Sequence, residues 1–362
     1  MSTARFEGLP LQGSPRPGSA RKIRVHEAES RDYARWDDFV SHCPEATFFH
    51  RAGWKRVIEE VFSHRTYFLY AEAGGEIEGV LPLAEIKSAF FGHKLVSLPF
   101  CVYGGTAART DEAARALDDA ARALADLRCV DLLEYRSMRP RHPSWQHRDL
   151  YVTFRKTLHA EVERNMLDIP RKQRAMVRKG MKAGLTSSID EDTVDFYRAY
   201  AESVHRLGTP VFSRAYFRKL REVFGRDCEI LTVRRGGKVV AAVMSFYFRD
   251  EVLPYYGGGT AAARELAGND FMYWEVMRRA CERGIRVFDY GRSKQGTGSF
   301  AFKKNWGFEP TPLVYEYLLV KGRHVPEHNP LNPRYRHFIK AWQRMPLALA
   351  NAIGPHIVRG LG

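Results

Sequence analysis

An internal repeat limits the folds open to this chain more than any other feature of its sequence. Residues 69–83 contain a β-rich run, a Gly-Gly turn and a second apolar run, and residues 231–245 repeat that order 162 positions later. Gly-Gly between two such runs is typical of a β-hairpin. We therefore expect two related halves.

The segments around the two hairpins repeat as well. In each half a helical stretch with aromatic residues precedes the hairpin, and a strand ending in glycines, an alanine-containing helix and a further strand follow it. The predicted segments are 47–62, 98–105, 112–127 and 130–135 in the first half, and 193–224, 252–259, 269–283 and 285–290 in the second. This order predicts an α/β fold with a mixed sheet and flanking helices in each half.

The chain has 362 residues, 44% of them hydrophobic, which suits two domains with packed cores. We predict a flexible N-terminal tail over 1–22, a first domain over 23–157, a second over 158–322, and a basic C-terminal loop and helix over 323–362.

Prolines and glycines mark the ends of the basic segments. A basic helix is expected within 158–184, with Pro170 at its start and Gly184 at its stop. Pro326, Pro330 and Pro333 mark the C-terminal loop, and a second helix is expected from Arg334 to about Ala352.

The formal net charge of +15 favours anionic partners, although surface arginines without a function are an equal alternative. Five scattered cysteines without a C-x-x-C pair support neither a zinc site nor a disulfide framework, so no metal is expected. No segment has the apolar length of a membrane span and the start lacks a secretory signal, so we expect a cytoplasmic protein.

Three stretches carry a resemblance to a known family: the basic helix at 169–185, the strand and glycine turn at 255–259, and the run 288–293 followed by 299–308. The ordered pattern resembles the GNAT fold, and its duplication resembles the FemAB family of aminoacyl- and acyltransferases. The third stretch is similar to FemAB-related proteins of exopolysaccharide and exosortase (PEP-CTERM) systems.

The resemblance implies transfer of an activated acyl group to an amine of a cell-envelope or exopolysaccharide precursor, either a small molecule or a lipid- or nucleotide-linked sugar. No cofactor is expected to stay bound. The donor is either an acyl-CoA or an aminoacyl-tRNA. The sequence lacks the coiled-coil insertion of some tRNA-using members, and residues 265–270 hold one glycine where CoA-using enzymes have a glycine-rich pyrophosphate loop.

Two other functions stay open. One is aminoacyl-tRNA-dependent synthesis of a peptidoglycan peptide bridge. The other is a non-catalytic GNAT-fold scaffold in a polysaccharide or exosortase system. No DNA partner is expected. The basic C-terminal helix, with Trp342 among its apolar residues, leaves peripheral contact with the inner membrane open, although such helices more often dock on their own domain.

The resemblance makes Lys303 the candidate for stabilising the oxyanion, with a surface lysine as the alternative. Asp289, at a strand end, either handles the acceptor amine or pairs with Arg292 across the Gly291 turn. Tyr256 is a third candidate catalytic residue, with core packing as its alternative.

Arg292 and Gly291 are candidate contacts for a phosphate or carboxylate. Arg171, Arg174 and Arg178 form one helix face that could bind a phosphorylated substrate or simply be solvated. Phe302 and Trp306 complete the candidate set, and for Trp306 packing is the stronger interpretation. We interpret His50 and His205 as surface histidines.

The first half lacks the second half's Asp-Tyr-Gly-Arg run, because residues 134–137 read Glu-Tyr-Arg-Ser at the equivalent strand end. We therefore expect the first half to be degenerate and the chemistry to lie in the second.

Overall fold

The computed structural model describes residues 22–89, 91–325 and 333–362, with the backbone alone over 333–336. The predicted N-terminal tail, apart from Lys22, lies outside these ranges, as do Pro326 and Pro330 of the predicted C-terminal loop.

The strands of the described residues join in one mixed sheet. They are β1 (Arg24–Glu27), β2 (Thr66–Ala73), β3 (Glu76–Ser88), β4 (Gly92–Val96), β5 (Ala107–Ala108), β6 (Leu132–Tyr135), β7 (Gln146–Thr157), β8 (Thr186–Asp190), β9 (Cys228–Arg235), β10 (Lys238–Phe248), β11 (Glu251–Gly259), β12 (Val287–Lys294) and β13 (Pro310–Leu319).

Helices cover both faces of this sheet. They are α1 (Tyr33–His42), α2 (Gly53–Phe62), α3 (Asp111–Leu127), α4 (Val162–Asp168), α5 (Arg171–Lys182), α6 (Val194–Arg206), α7 (Arg214–Phe224), α8 (Ala262–Glu265), α9 (Gly268–Glu282), α10 (Gly298–Asn305), α11 (Pro333–Arg344) and α12 (Leu347–Leu361).

The sheet order is β1-β2-β3-β4-β6-β13-β7-β12-β11-β10-β9-β8, with β5 on β3. The β4–β6 and β11–β12 pairs are parallel, and the other pairs are antiparallel. Strand β7, which ends the first half, lies beside β12 of the second, and β13, the last strand of the second half, lies between β6 and β7. This exchange makes the sheet continuous.

The predicted α/β fold and its repeat are confirmed. The order β1-α1-α2-β2-β3 recurs as β8-α6-α7-β9-β10, and the bounds of β2 and β9 differ by the 162 residues of the sequence repeat. The two halves also share a core, in which the rings of Phe48 and Phe246 stack with their centroids 4.4 Å apart.

Four local predictions are wrong in detail. The helical stretch predicted over 193–224 is two helices, α6 and α7, with residues 207–213 between them. The strand predicted over 98–105 is an irregular loop, because Leu98 and Phe100 have φ of 62° and 69°, outside the extended region. The helix predicted within 158–184 is two helices, since Pro170 disfavours helical geometry at the preceding residue, Ile169. The predicted C-terminal helix is divided into α11 and α12 at Pro346 for the same reason.

Helices α6 and α9 lie on opposite faces of the second half. A Cβ on Gly258 would lie 2.8 Å from Tyr200 of α6, whereas one on Gly257 would lie 3.0 Å from the hydroxyl of Tyr273 of α9. Successive strand residues point to opposite faces of a sheet. Elements packed on α6 and on α9 are therefore separated by the sheet.

Candidate active site

The candidate site lies where two parallel strands separate. Strands β11 and β12 pair only through Glu251 with Val287 and Val252 with Phe288, although both continue further. The loop after β4, from the first half, enters this opening, and the Tyr255 hydroxyl donates to the carbonyl of Phe100 at 3.0 Å. The site is thus built from both halves.

Asp289 is fully buried at this opening. Its Oδ2 accepts from the Tyr103 hydroxyl at 2.9 Å and from Arg155 Nη1 at 3.0 Å, and its Oδ1 accepts from the Gly291 N–H at 2.7 Å. Burial raises its pKa. The predicted pairing with Arg292 is wrong, because Arg155 on the neighbouring β7 supplies the cation.

Gly291 forms a bulge in β12. The register with β7 shifts between Asp289 and Arg292, and Gly291 has a φ of 65°, which favours glycine. The Asp289 carboxylate holds the N–H of this bulge, so it fixes the backbone from which Arg292 projects.

Arg292 lies among tyrosines and forms no ion pair with any residue in the described ranges. Its Nη1 donates to the Tyr315 hydroxyl at 2.9 Å, and its guanidinium lies 4.6 Å from the centroid of the Tyr151 ring. The Tyr315 hydroxyl in turn donates to the carbonyl of Val102 at 2.8 Å. A guanidinium with free donors and no counterion is suited to a phosphate or carboxylate.

Lys303 reaches the bulge from α10. Its Nζ donates to the carbonyl oxygens of Gly291 and Arg292, both at 3.0 Å. An ammonium has three donors, so one remains for another acceptor. Burial lowers the pKa of Lys303 to about 7, although the nearby Asp289 carboxylate opposes that shift. Lys303 is therefore a partly buried amine that is protonated below about pH 7, and not the surface lysine of the alternative interpretation.

Two of the predicted site residues are core residues. Tyr256 is buried among aromatic rings, and its hydroxyl lies 2.8 Å from that of Tyr216. Trp306 is 0% exposed and donates its indole N–H to Asp270 Oδ1 at 3.1 Å. Neither side chain is free to contact a substrate here, which corrects the catalytic assignment of Tyr256 and the substrate-binding assignment of Trp306. Phe302 is half-buried, with its ring 5.7 Å from that of Tyr273.

The basic face of α5 is separate from this cluster. The buried side of α5 packs on α9, where a Cβ on Gly180 would lie 2.8 Å from Phe271. Arg171 and Arg178 are exposed, and Arg174 donates to the carbonyl of Leu167 at 3.3 Å. Within the described part of the chain, none of the three forms an ion pair or bonds to the residues around Lys303.

The N-terminus of α9, next to the stretch 265–270 that was compared with a pyrophosphate loop, contains an acidic residue. Asp270 in the first turn of the helix is buried and accepts from both Gln173 and Trp306. Its carboxylate would repel an anion approaching the same helix end.

The prediction that His50 is a surface histidine is wrong. This side chain is buried: Nδ1 accepts from the Thr47 N–H at 3.0 Å, and Nε2 donates to the carbonyl of Gly105 at 3.2 Å. Burial lowers the pKa of His50 to about 4. Over residues 22–89, 91–325 and 333–362, no group of three or more His, Cys, Asp or Glu side chains is placed to hold a metal ion.

Sequence reasoning missed Tyr103, Arg155 and Tyr315. Tyr103 and Arg155 contact Asp289 across 186 and 134 residues of sequence, through the loop after β4 and through the exchanged strand β7. No local pattern marks them.

Comparison with known proteins agrees with this fold. Residues 171–304 match the family model for an acetyltransferase (GNAT) domain. The structure is similar to FemX, at a TM-score of 0.65 and 14% identity, covering 87% of this chain and 100% of that one. It is also similar to a conserved protein of unknown function from Bacteroides thetaiotaomicron, at a TM-score of 0.58 and 11% identity over 83% of this chain and 100% of that one.

A tandem GNAT protein from the clavulanic acid biosynthesis pathway matches at a TM-score of 0.50 and 15% identity, over 84% of this chain and 100% of that one. A search of curated proteins gave no match. Asp289, Arg292 and Lys303 therefore lie in the part of the chain that matches the GNAT domain model, and most of the chain has a fold similar to those of FemX and a tandem GNAT protein.

Proposed function

We propose that this chain is an N-acyltransferase in which Lys303 stabilises the oxyanion that forms on the donor carbonyl. The observation that carries the proposal is the geometry of Lys303, whose ammonium is fixed by two backbone carbonyls and keeps one donor. A fixed cation at a partly buried position stabilises developing negative charge without reorganisation.

In the proposed reaction the acceptor amine attacks the carbonyl carbon of the activated acyl group. The new C–N bond forms, the bond to the donor's leaving group breaks, and the amine proton passes to the leaving group or to water. No covalent enzyme intermediate is needed.

Asp289 acts as a positioning residue in this scheme. Its two oxygens already accept from Gly291, Tyr103 and Arg155, so it holds the bulge and is not needed to contact the amine. Arg292, which has no counterion in the described structure, would bind an anionic part of a substrate.

The acceptor class, an amine of a cell-envelope or exopolysaccharide precursor, rests on the sequence resemblance and stays a prediction. Asp270 at the start of α9 argues against a CoA pyrophosphate at that helix end, which favours a donor held elsewhere. The first test distinguishes an acyl-CoA donor from an aminoacyl-tRNA donor.

That test is a thermal-shift panel with acetyl-CoA, longer acyl-CoAs, a UDP-sugar and bulk tRNA, because a ligand of the native state raises the unfolding temperature. Ribonuclease treatment then separates a tRNA donor from an acyl-CoA.

Acyl transfer to the acceptor, followed by mass spectrometry, is then compared between the wild type, Lys303→Met and Lys304→Met. We expect Lys303→Met to lose about 100-fold or more in kcat, as for removal of an oxyanion donor. The exposed neighbour Lys304 is the matched control and should keep full activity. A folded Lys303→Met protein with wild-type turnover would refute the role of Lys303. Absence of transfer and of any thermal shift across the panel would favour the scaffold function.

A further inference from the structure

The C-terminal helices α11 and α12 both pack on α6 of the second half, and the end of α12 also reaches the first half, where Lys94 donates to the carbonyl of Leu361 at 2.8 Å. Trp342 is 3% exposed, and a Cβ on Gly354 of α12 would lie 2.9 Å from the backbone of Val211. Gln343 donates to the carbonyl of Arg206 at 2.8 Å, at the end of α6. The buried tryptophan therefore belongs to a helix that docks on its own chain, as the more common interpretation of the sequence holds.

Helix α12 nevertheless keeps an apolar face exposed. Leu349 and Ile353 of α12 are 48% and 36% exposed, although they are four residues apart on one side of the helix. The buried residues of α12 lie on the opposite side and are Ala350, Gly354 and Val358. The docked helix thus directs a second apolar surface away from the protein.

The C-terminal segment that carries this surface is basic. Residues 333–362 contain five Lys or Arg residues and no Asp or Glu. Past Ile353, the same side of α12 continues with His356 and ends beside Arg359, and both line a cavity of about 500 Å³.

The cavity has an excess of cations. Basic side chains from the first half complete its wall: His64, Arg65, Lys87 and Arg128. The carboxylate in the wall, Glu85, already accepts from Arg128 and His93 and lies 3.2 Å from Lys87. Arg65 and Arg359 form no ion pair with other residues of the described chain, so their charge is available to an anion.

We propose that the outward face of α12 and the cationic cavity at its end bind the surface of an anionic phospholipid bilayer. Apolar side chains beside cations suit the boundary between acyl chains and headgroups, and Lys or Arg residues are attracted by anionic lipid. The cavity would take a phosphate headgroup. Among the described residues, no helix combines the length and the hydropathy of a membrane span.

The chain offers a contrasting surface on its other side. Helix α5 exposes cations but lies on the α9 face of the sheet, whereas α12 packs on the α6 face. A single flat membrane cannot contact both, which makes α5 a control.

The test is co-sedimentation of the full chain with vesicles, either phosphatidylcholine alone or a mixture with phosphatidylglycerol. We expect binding to the anionic vesicles that weakens with salt, and about tenfold weaker partitioning for Leu349→Ser/Ile353→Ser and for Arg65→Glu/Arg359→Glu. The matched controls are Leu167→Ser, an exposed leucine of α4, and Arg178→Glu/Lys182→Glu on α5.

Circular dichroism and unfolding temperatures confirm that each variant is folded. Equal binding to both vesicle types, or an equal loss in the α5 variant, would overturn the proposal, as would full binding by the α12 variants. Because the assay measures binding and not transfer, its result is independent of the proposed function.

Discussion

The hydroxyl of Tyr103, in the first half, donates a hydrogen bond to the buried carboxylate of Asp289, in the second half, at 2.9 Å. The loop that carries Tyr103 is held by Arg136, whose Nη1 donates to the carbonyl of Cys101 at 3.1 Å and whose Nε donates to Glu134 at 2.7 Å. Glu134 and Arg136 belong to the run that replaces Asp-Tyr-Gly-Arg in the first half. That half therefore contributes structure to the site.

Tyr103→Phe removes one donor from Asp289 and leaves its buried carboxylate less satisfied. We expect the free energy of unfolding to fall by about 1–3 kcal/mol, the usual cost of an unsatisfied buried group. Urea unfolding at neutral pH measures this. Tyr255→Phe, which loses a bond to a backbone carbonyl and not to a carboxylate, should cost less. An equal loss of unfolding free energy in the two variants would mean that the hydrogen bond to Asp289 contributes no more than the hydrogen bond to a backbone carbonyl.

Arg292→Gln should remove the anion contact of the site. Because Arg292 has no counterion among the described residues, the folded protein loses no ion pair, and its stability should change little. We expect inorganic pyrophosphate to bind about tenfold or more weakly, since charged hydrogen bonds contribute about 1.5–3 kcal/mol. Calorimetric titration measures this affinity. The exposed Arg235 of the β9–β10 turn is the control, and an equal loss in Arg235→Gln would indicate non-specific attraction.

Short local patterns in the sequence predict the hairpins of the fold. Gly-Gly between two apolar runs needs no distant partner to turn, so β2–β3 and β9–β10 follow from the residues themselves. The segment 98–105 has a similar apolar content, yet it is a loop. Its conformation depends on Arg136, more than thirty residues away, whose guanidinium donates hydrogen bonds to the carbonyls of Leu98 and Cys101.

In the candidate site, too, some residues could be predicted from local sequence and others could not. Asp289, Gly291, Arg292 and Lys303 lie within fifteen residues, so one stretch of sequence could suggest all four. Their partners Tyr103 and Arg155 reach the site because strands are exchanged between the halves, and nothing local predicts that exchange. The burial of Tyr256 likewise depends on α6 and α7 packing over it.

His50 should make the protein sensitive to mild acid. Its folded pKa of about 4 lies below the ordinary 6.5, so between these values the unfolded chain binds a proton that the folded protein excludes. Stability is therefore lost as the pH falls from about 6.5 to about 4, by up to about 3 kcal/mol. The difference in unfolding free energy between wild type and His50→Gln should shrink over that range. The exposed His26 gives the control variant His26→Gln, and a change of the same size in that variant would mean that the burial of His50 is not the cause.

The lowered pKa of Lys303 should affect stability at alkaline pH, and in the same direction as that of His50: the unfolding free energy rises with pH. Its folded pKa of about 7 lies below the ordinary 10.5, so between these values the unfolded chain again holds the extra proton. Its contribution to the unfolding free energy therefore rises with pH across this range, and below about pH 7 the cost of burying the ammonium is fully present. Urea unfolding of wild type and Lys303→Met at about pH 7 and about pH 9.5 measures it. We expect the difference to move in favour of the wild type at the higher pH, and a movement of the same size in Lys304→Met, the variant of an exposed neighbour, would mean that the burial of Lys303 is not the cause. A constant difference for Lys303→Met would mean that Lys303 titrates as an ordinary surface lysine, and the buried cation on which the proposed oxyanion role depends would be lost.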